Sequence, residues 1–327
     1  MTGTQRTPTR AGEGQTLADV GEFGLIDLIR ERLRDAPQVE LGAGDDAAVV
    51  AASDGRMVVT TDMLVEGRHF RRDWSSAYDV GRKAAAQNLA DVAAMGATPT
   101  AVVVCFGAPP DLPVAWAVEF ADGLRDECQE VGAAVAGGDV VASGVVVAAV
   151  TAMGSLQGRA AVTRSGARPG DQVAVCGRLG WSAAGLTVLS RGFRSPRVLV
   201  EAHRRPQPPY AAGPEAACLG ATALIDVSDG LLADLGHIAV ASGVAIDLDS
   251  SRFDLPEPIQ AVAAAVGAEP LSYVLTGGED HALAGTFPAD VSLPPHWNVV
   301  GRVLEGEPAV TVDGAAYEGP AGHDHFG

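Results

Sequence analysis

Five short segments set carboxylates where the backbone turns: "GAGDDAAV" (Asp45, Asp46), "TTD" (Thr60, Thr61, Asp62), "NLADVAAMGA" (Asp91), "AGGDV" (Asp139) and "IDVSDG" (Asp226, Ser228, Asp229). One acid at a strand end is ordinarily a turn or cap residue. Five of them, each beside small residues that let a backbone approach a ligand closely, form a set able to converge. Two carboxylates ~4 Å apart repel by roughly 4 kcal/mol at an effective dielectric of about 20, so a convergent set needs cations. Lys83 is the only lysine, against 22 arginines (23 basic residues less one). Oxygen donors without Cys or paired His suit Mg²⁺, which is typically shared with phosphates. The expected chemistry is a metal-bridged nucleotide site, with Thr60, Thr61 and Asp62 as ligands at a strand end. No Walker loop, G-x-x-x-x-G-K-[ST], occurs in the chain, so ATP would be held by another route.

Individual positions carry two readings each. Asp91 shares a helix face with Gln87 and Asn88, and that polar stripe is either the solvent face or a ligand face. Asp226 and Ser228 point to one side of a strand, and Asp229 is either an N-cap of the next helix or a group near a bound cation and anion. Arg164, in the glycine-rich "TRSGARPG", is a solvated loop charge or an anion contact. Arg68 and His69 end "VVTTDMLVEGRHF" as surface charges or as phosphate contacts. Glu279 and Asp280 follow "TGG" as caps, or as carboxylates for a cationic or amine-bearing ligand.

The elements that must position these residues follow from pattern. Helices are expected over 22–34, 76–95 with Ser75 or Ser76 as N-cap, 113–131 and "WSAAGLTVLSRG". Strands are expected at "RMVVTTD", "TAVVVCFG", "GVVVAAVTAMG", 244–248, 282–287, 297–303 and 309–312, with "AAVAGGD" a short strand ending at its glycines. "RVLVEAHRRPQPPY" carries a proline-rich break, and "TALIDVSDGLLADLGHIAVASG" reads as strand, tight turn and helix. The class is α+β, in two closely packed domains: a polar, disordered tail at 1–16, an N-terminal α/β domain at 17–155 with a mixed or antiparallel sheet, and a C-terminal α+β domain at 156–327.

Composition narrows the function. The chain has 327 residues and is 47% hydrophobic, enough for two cores. A net charge of −18 argues against a nucleic-acid surface. There is no apolar run of about 18 residues, so no membrane partner is expected. Cys105, Cys128, Cys176 and Cys218 lack CxxC spacing and read as buried thiols of a cytoplasmic protein.

Taken together, "GEFGLIDLI", "LGAGDDAAV", "TTDMLVEGRHF", "KAAAQNLADVAAMGATP", "GGD", "TRSGARPGD", "IDVSDGLLADLGHI", "TGGEDHAL" and "GHDHF" make the chain resemble the thiamine-monophosphate kinases. That family sits in a superfamily with aminoimidazole ribonucleotide synthetase, selenophosphate synthetase and a hydrogenase-maturation dehydratase. The resemblance spans nearly the whole chain. It implies ATP-dependent phosphorylation of thiamine monophosphate to thiamine diphosphate by direct in-line transfer with several Mg²⁺ ions. It also implies a homodimer paired through N-terminal strands. By similarity, Asp46, Thr60, Thr61, Asp62, Asp91, Asp139, Asp226 and Asp229 match magnesium positions. Gly138, Asp139, Arg164 and Ser228 match positions around ATP. His69, Glu279 and Phe326 match the thiamine-phosphate side. No general base is assigned, because the acceptor phosphate is already ionised. Two departures stand out: His281 follows "GGED" and His323 precedes "DHF", where the family often has aromatics.

Residues 1–45 hold no cysteine for a selenophosphate synthetase, and Gly327 stands at the end where the hydrogenase-maturation relative would want a cysteine. Aminoimidazole ribonucleotide synthetase is the enzymatic runner-up, and a nucleotide-binding regulator without turnover the non-enzymatic one. The implied homodimer is checked by sedimentation at micromolar concentration, where a dimer is expected and a monomer alone would contradict the resemblance.

Overall fold

The computed structural model describes residues 14–34, 36–42, 48–319 and 322. Asp45, Asp46, His323 and Phe326 lie outside the described residues. The chain divides into two compact units. One is Met1–Ala51, Thr61–Ala85 and Thr100–Ala152; the other is Ala52–Thr60, Ala86–Pro99 and Met153–Gly327. Among the described residues no single helix is long and apolar enough to cross a membrane.

The first helix is broken at Gly21, which stands at φ 67° and ψ 178°, so the segment after it starts where the apolar pattern sets it, at residue 22. Helix α1 (Leu17–Arg30) includes a short segment ahead of Gly21, where the Asp19 carboxylate accepts both the Thr16 N–H and the Thr16 hydroxyl at 2.8 Å. There follow β1 (Val39–Leu41), β2 (Val49–Val50), β3 (Val58–Val65), α2 (Ala77–Ala94), β4 (Thr98–Ala108), α3 (Val114–Glu130), β5 (Ala134–Ala142) and β6 (Val147–Ser155). Ser76 begins α2 as expected: its hydroxyl accepts the Asp79 N–H, and the Asp79 carboxylate accepts the Ser76 N–H, each at 3.1 Å.

Strands β3, β6, β4 and β5 form a four-stranded sheet in that order, with β4 and β5 parallel. Strand β5 does not end at its glycines. Gly138 lies opposite Val104 in the register, where a Cβ would stand 2.1 Å from the Val104 carbonyl oxygen. The glycine therefore admits a close strand neighbour instead of stopping the strand. Cys105, next in register to Asp139, alternates outward between buried Val104 and Phe106. Cys105 and Cys218 are exposed, which corrects the buried-thiol reading for those two; Cys128 and Cys176 are buried.

The rest of the chain supplies β7 (Gln172–Cys176), α4 (Trp181–Ser190), α5 (Arg197–Arg204), α6 (Ala212–Leu219), β8 (Ala223–Val227), α7 (Leu231–Ser242), β9 (Ala245–Leu248), α8 (Glu257–Val266), α9 (Pro270–Thr276), β10 (Ala282–Phe287), β11 (Trp297–Leu304), β12 (Ala309–Val312) and β13 (Ala315–Ala316). Helix α5 follows Pro196, whose fixed φ favours helix entry, and ends at Arg204, so the proline-rich break lies in the residues after it. The seven-stranded sheet has the order β13–β12–β9–β11–β7–β10–β8 and is mixed, since β9 and β12 are parallel and the other pairs antiparallel. The architecture is a mixed α/β protein.

Strand parity distributes two cores over this sheet. Ala223, Ile225 and Val227 of β8 pack with Leu231, Leu235 and Ile238 of α7. Leu224, of opposite parity, packs with Ala212 and Ala216 of α6 and with Ala94 at the end of α2. Asp226 has the parity of Leu224, so alternation directs it to the face that holds the end of α2.

Helix α2 is buried all round: Ala84, Ala85, Ala86, Leu89, Ala90, Val92 and Ala93 have no exposed surface, and Asn88 has none either. The Gln87–Asn88 stripe is therefore not a solvent face. Such a helix needs near backbone neighbours, and Gly81 provides one, because a Cβ there would lie 2.0 Å from the Phe120 carbonyl oxygen of α3. Gly81→Ala is expected to cost about 1–3 kcal/mol by overpacking, read as a lowered Tm. Gly144→Ala, where a Cβ meets nothing within 4 Å, serves as the neutral control.

Candidate active site

A cleft of ≈ 770 Å³ lies within the second unit, lined by Arg56, Thr60, Asp91, Met95, Arg164 and Asp226 among others. Asp91 reaches it one helical turn before Ala94, and Asp226 reaches it from the end of β8. The Thr60 hydroxyl donates to Asp91 Oδ2 at 2.8 Å, which orients that carboxylate. Arg164 is exposed, and its loop is pinned at the backbone: Ser242 Oγ accepts the Gly166 and Ala167 N–H groups at 3.1 and 3.2 Å and donates to the Arg164 carbonyl at 3.2 Å.

The turn after β8 is held by a residue that the sequence reading missed. Asp234 Oδ2 accepts the N–H groups of Ser228, Asp229 and Gly230 at 3.0, 3.1 and 3.1 Å. Asp229 is thus not the N-cap of α7; Gly230 stands there at φ 130°, and Asp234 supplies the capping oxygen from inside the helix. Burial, then the neighbouring Asp226 charge, pushes the Asp234 carboxyl up to about 7 despite its N–H donors. The available signal was an acid in the first turn after "SDG", able to fold back on free helix-end donors.

The "GGEDH" turn is clamped against this one. Glu279 N–H donates to the Ser228 carbonyl at 2.8 Å and His281 N–H to the Val227 carbonyl at 3.0 Å. Gly278 allows the approach, since a Cβ there would sit 2.2 Å from the Ser228 oxygen. Glu279 and His281 both adopt left-handed backbone, at φ 63° and 53°, a conformation non-glycine residues keep only when surroundings impose it. Between them, buried Asp280 turns inward, and its Oδ1 accepts the Ser182 N–H at the start of α4 at 2.8 Å. Asp280 Oδ2 is buried without a hydrogen-bond partner. Glu279 Oε2 lies 3.6 Å from His203 Nδ1, and Ser182 Oγ lies 3.1 Å from the same nitrogen. Because both partners meet one ring nitrogen, this is not a serine–histidine–carboxylate relay, which uses both.

His281 Nδ1 lies 3.0 Å from Asp226 Oδ2, with both side chains buried. Burial opposes a charged imidazole, but the Asp226 hydrogen bond and the charges of Asp226, Asp91 and Glu279 outweigh it and raise the His281 pKa. The ring occupies its face in the interior as a hydrogen-bonding group.

The remaining candidates belong to the first unit. Thr61 Oγ1 donates to the Val150 carbonyl at 3.1 Å and accepts from Thr151 Oγ1 at 3.1 Å. Asp62, Gly138 and Asp139 are exposed. His69 Nδ1 accepts the Val65 N–H at 3.0 Å, so a neutral ring carries its proton on Nε2, and the His69 carbonyl accepts buried Lys83 Nζ at 3.2 Å. Arg68 is exposed.

With this geometry in view, the comparisons are specific. Residues 44–156 match the family described as AIR synthase related protein, N-terminal domain. The thiamine-monophosphate kinase of Mycobacterium tuberculosis is 50% identical over 325 residues, covering 99% of this chain and 97% of that protein. The enzyme of the same name from Corynebacterium glutamicum is 40% identical, covering 94% and 93%. Among solved structures, AaThiL complexed with AMPPCP and TMP is 36% identical with a TM-score of 0.78, covering 96% of this chain and all of that one.

The chain belongs to the thiamine-monophosphate kinase family. As a kinase of that family it requires a site for phosphates, and the cleft offers hard oxygen donors that would suit a divalent cation. Among the described residues no three His, Cys, Asp or Glu groups gather around one metal position. Mg²⁺ asks for less, since it takes one or two carboxylates and completes its shell with water and substrate phosphates. Asp91 and Asp226 on one cleft fit that demand.

A pH dependence follows from Asp280. Burial pushes its carboxyl up to about 7, against the Ser182 N–H, the His281 charge and the Gly180 and Trp181 N–H groups, from an ordinary 3.8. Between those two values the folded chain holds a proton that the unfolded chain has released, so stability falls as pH rises through the window, by at most about 1.4 kcal/mol per pH unit. Asp280→Asn keeps the acceptor for Ser182 and removes the titration. In urea unfolding the wild type is expected to lose stability relative to this variant from pH 5 to pH 7, and the difference to level off above pH 7.

Proposed function

We propose that the chain transfers the γ-phosphoryl group of ATP to the phosphate of thiamine monophosphate, giving thiamine diphosphate, in one in-line step. Carrying this reading is the 50% identity to a thiamine-monophosphate kinase across 99% of the chain. The complex of AaThiL with AMPPCP and TMP supports the same substrate pair.

Phosphoryl transfer asks the protein for alignment and charge neutralisation rather than covalent chemistry. Bound Mg²⁺ supplies the neutralisation of the β- and γ-phosphates and of the acceptor phosphate. In this reading Asp46, Thr60, Thr61, Asp62, Asp91, Asp139, Asp226 and Asp229 are the cation's ligands. Thr60 keeps Asp91 turned for that role. Gly138, Asp139, Arg164 and Ser228 serve ATP, with the Arg164 guanidinium against a phosphate. His69, Glu279 and Phe326 serve thiamine monophosphate: the His69 imidazole at the phosphate, the Glu279 carboxylate at the cationic or amine-bearing end. The acceptor oxygen is ionised near neutral pH, so no side chain has to remove a proton. The active form in this reading is a cytoplasmic homodimer of protomers with domains at 17–155 and 156–327.

Steady-state kinetics with each substrate varied in turn tests the division of labour. A lost charge-assisted hydrogen bond is worth roughly 1.5–3 kcal/mol, about 10- to 150-fold. Glu279→Gln is expected to raise KM for thiamine monophosphate on that scale with KM for ATP little changed, and Arg164→Ala to do the reverse. Asp62→Asn and Asp91→Asn should each abolish turnover in folded protein. Near-normal rates for both at saturating Mg²⁺ would remove the metal assignment.

A further inference from the structure

Position 281 spends backbone energy on its side chain. At φ 53° a histidine is strained, and glycine or asparagine would take the same turn more readily. The backbone bond made here, from His281 N–H to the Val227 carbonyl, is available to either of those residues. What only a donor-bearing side chain adds is the contact of Nδ1 with Asp226 Oδ2 at 3.0 Å. The acceptor is a carboxylate, so Nδ1 carries the proton of this bond. Strand pairing aims the two groups at each other: Leu283 faces Asp226 and Ala282 faces Val227 in the antiparallel register, so residue 281 lies at the very end of the ladder, beside the Asp226 carboxylate.

Asp226 has little else to orient it. Its Oδ1 has no hydrogen-bond partner among the described residues, and Asp234, the acid nearest in the turn, is already engaged by three N–H groups. A carboxylate held at one oxygen presents the other in a defined direction, and Asp226 lines the cleft.

We infer that His281 is a positioning residue for Asp226. Its Nδ1–H fixes Oδ2 and thereby turns Oδ1 to the cleft as a ligand for the divalent cation that accompanies the nucleotide. The inference rests on the proposed function, in which Asp226 is a cation ligand. Outer partners of this kind typically hold 10- to 100-fold of a site's metal affinity.

The test is binding, not turnover. Mn²⁺ binding in the presence of saturating AMPPCP is measured by electron paramagnetic resonance on the full-length wild type and on His281→Gly, His281→Asn and Asp226→Asn. Glycine suits the left-handed backbone, so His281→Gly removes the donor while keeping the turn, and thermal unfolding verifies the fold of each variant. Asparagine tolerates the same backbone and carries an amide donor close to the Nδ1 position. The expected result is Mn²⁺ affinity weakened about 10- to 100-fold in His281→Gly and within a few-fold of wild type in His281→Asn. Unchanged affinity in His281→Gly, with affinity lost in Asp226→Asn, overturns the positioning role and leaves the metal reading intact. Equal losses in the glycine and asparagine variants also overturn it, because the donor then does not matter. Unchanged affinity in Asp226→Asn overturns the metal reading of Asp226, and this inference with it.

Discussion

Three carboxylates, Asp226, Asp234 and Asp280, are at most 5% exposed, and the need to compensate their burial governs this part of the molecule. An ionised carboxylate removed from water costs several kcal/mol unless donors replace the lost hydration. Each of the three meets the demand differently. Asp226 takes an imidazole N–H, Asp234 takes three backbone N–H groups of its own turn, and Asp280 takes the Ser182 N–H in the first turn of α4. These donors belong to the ends of β8, α7, β10 and α4, so satisfying the acids brings four elements to one point. The strained backbone at Glu279 and His281 is held by the bonds from their own N–H groups to the Ser228 and Val227 carbonyls beside these acids.

Helix α2 imposes the second constraint. A helix with no exposed face has no solvent side on which to leave a polar residue, so Asn88 and Gln87 are inside and Asp91 emerges only where the helix meets the cleft. Its alanines and Gly81 let neighbouring backbones approach, which leaves little freedom for that helix to shift. Asp91 is therefore carried on a rigid element, with Thr60 fixing its carboxylate.

The periodic parts of the chain were legible from sequence. The strands at 282–287 and 309–312 and the helix after "IDVSDG" stand where alternation and spacing set them, because side-chain period is a local consequence of backbone geometry. The family was legible too, since its motifs keep distinctive residue types in short segments of chain, such as "NLAD" inside α2 and "TTD" inside β3. Where local rules competed, the reading failed. A short helical segment forms at Leu17 ahead of Gly21, β5 passes through Gly137 and Gly138, and Cys105 faces outward on a sheet whose other residues suggested burial.

What the sequence determined by itself was the inventory: oxygen donors, one lysine, turn glycines and the order of elements. Which donors meet was decided by tertiary structure alone. That Thr60 serves Asp91, that Asp234 rather than Asp229 closes the turn, and that His281 faces Asp226 are contacts across 31, 5 and 55 positions of chain. The two long contacts depend on sheet register and helix packing, which are properties of the whole fold. The short one depends on the competition between two acids for the same N–H groups, and burial of Asp234 resolves it.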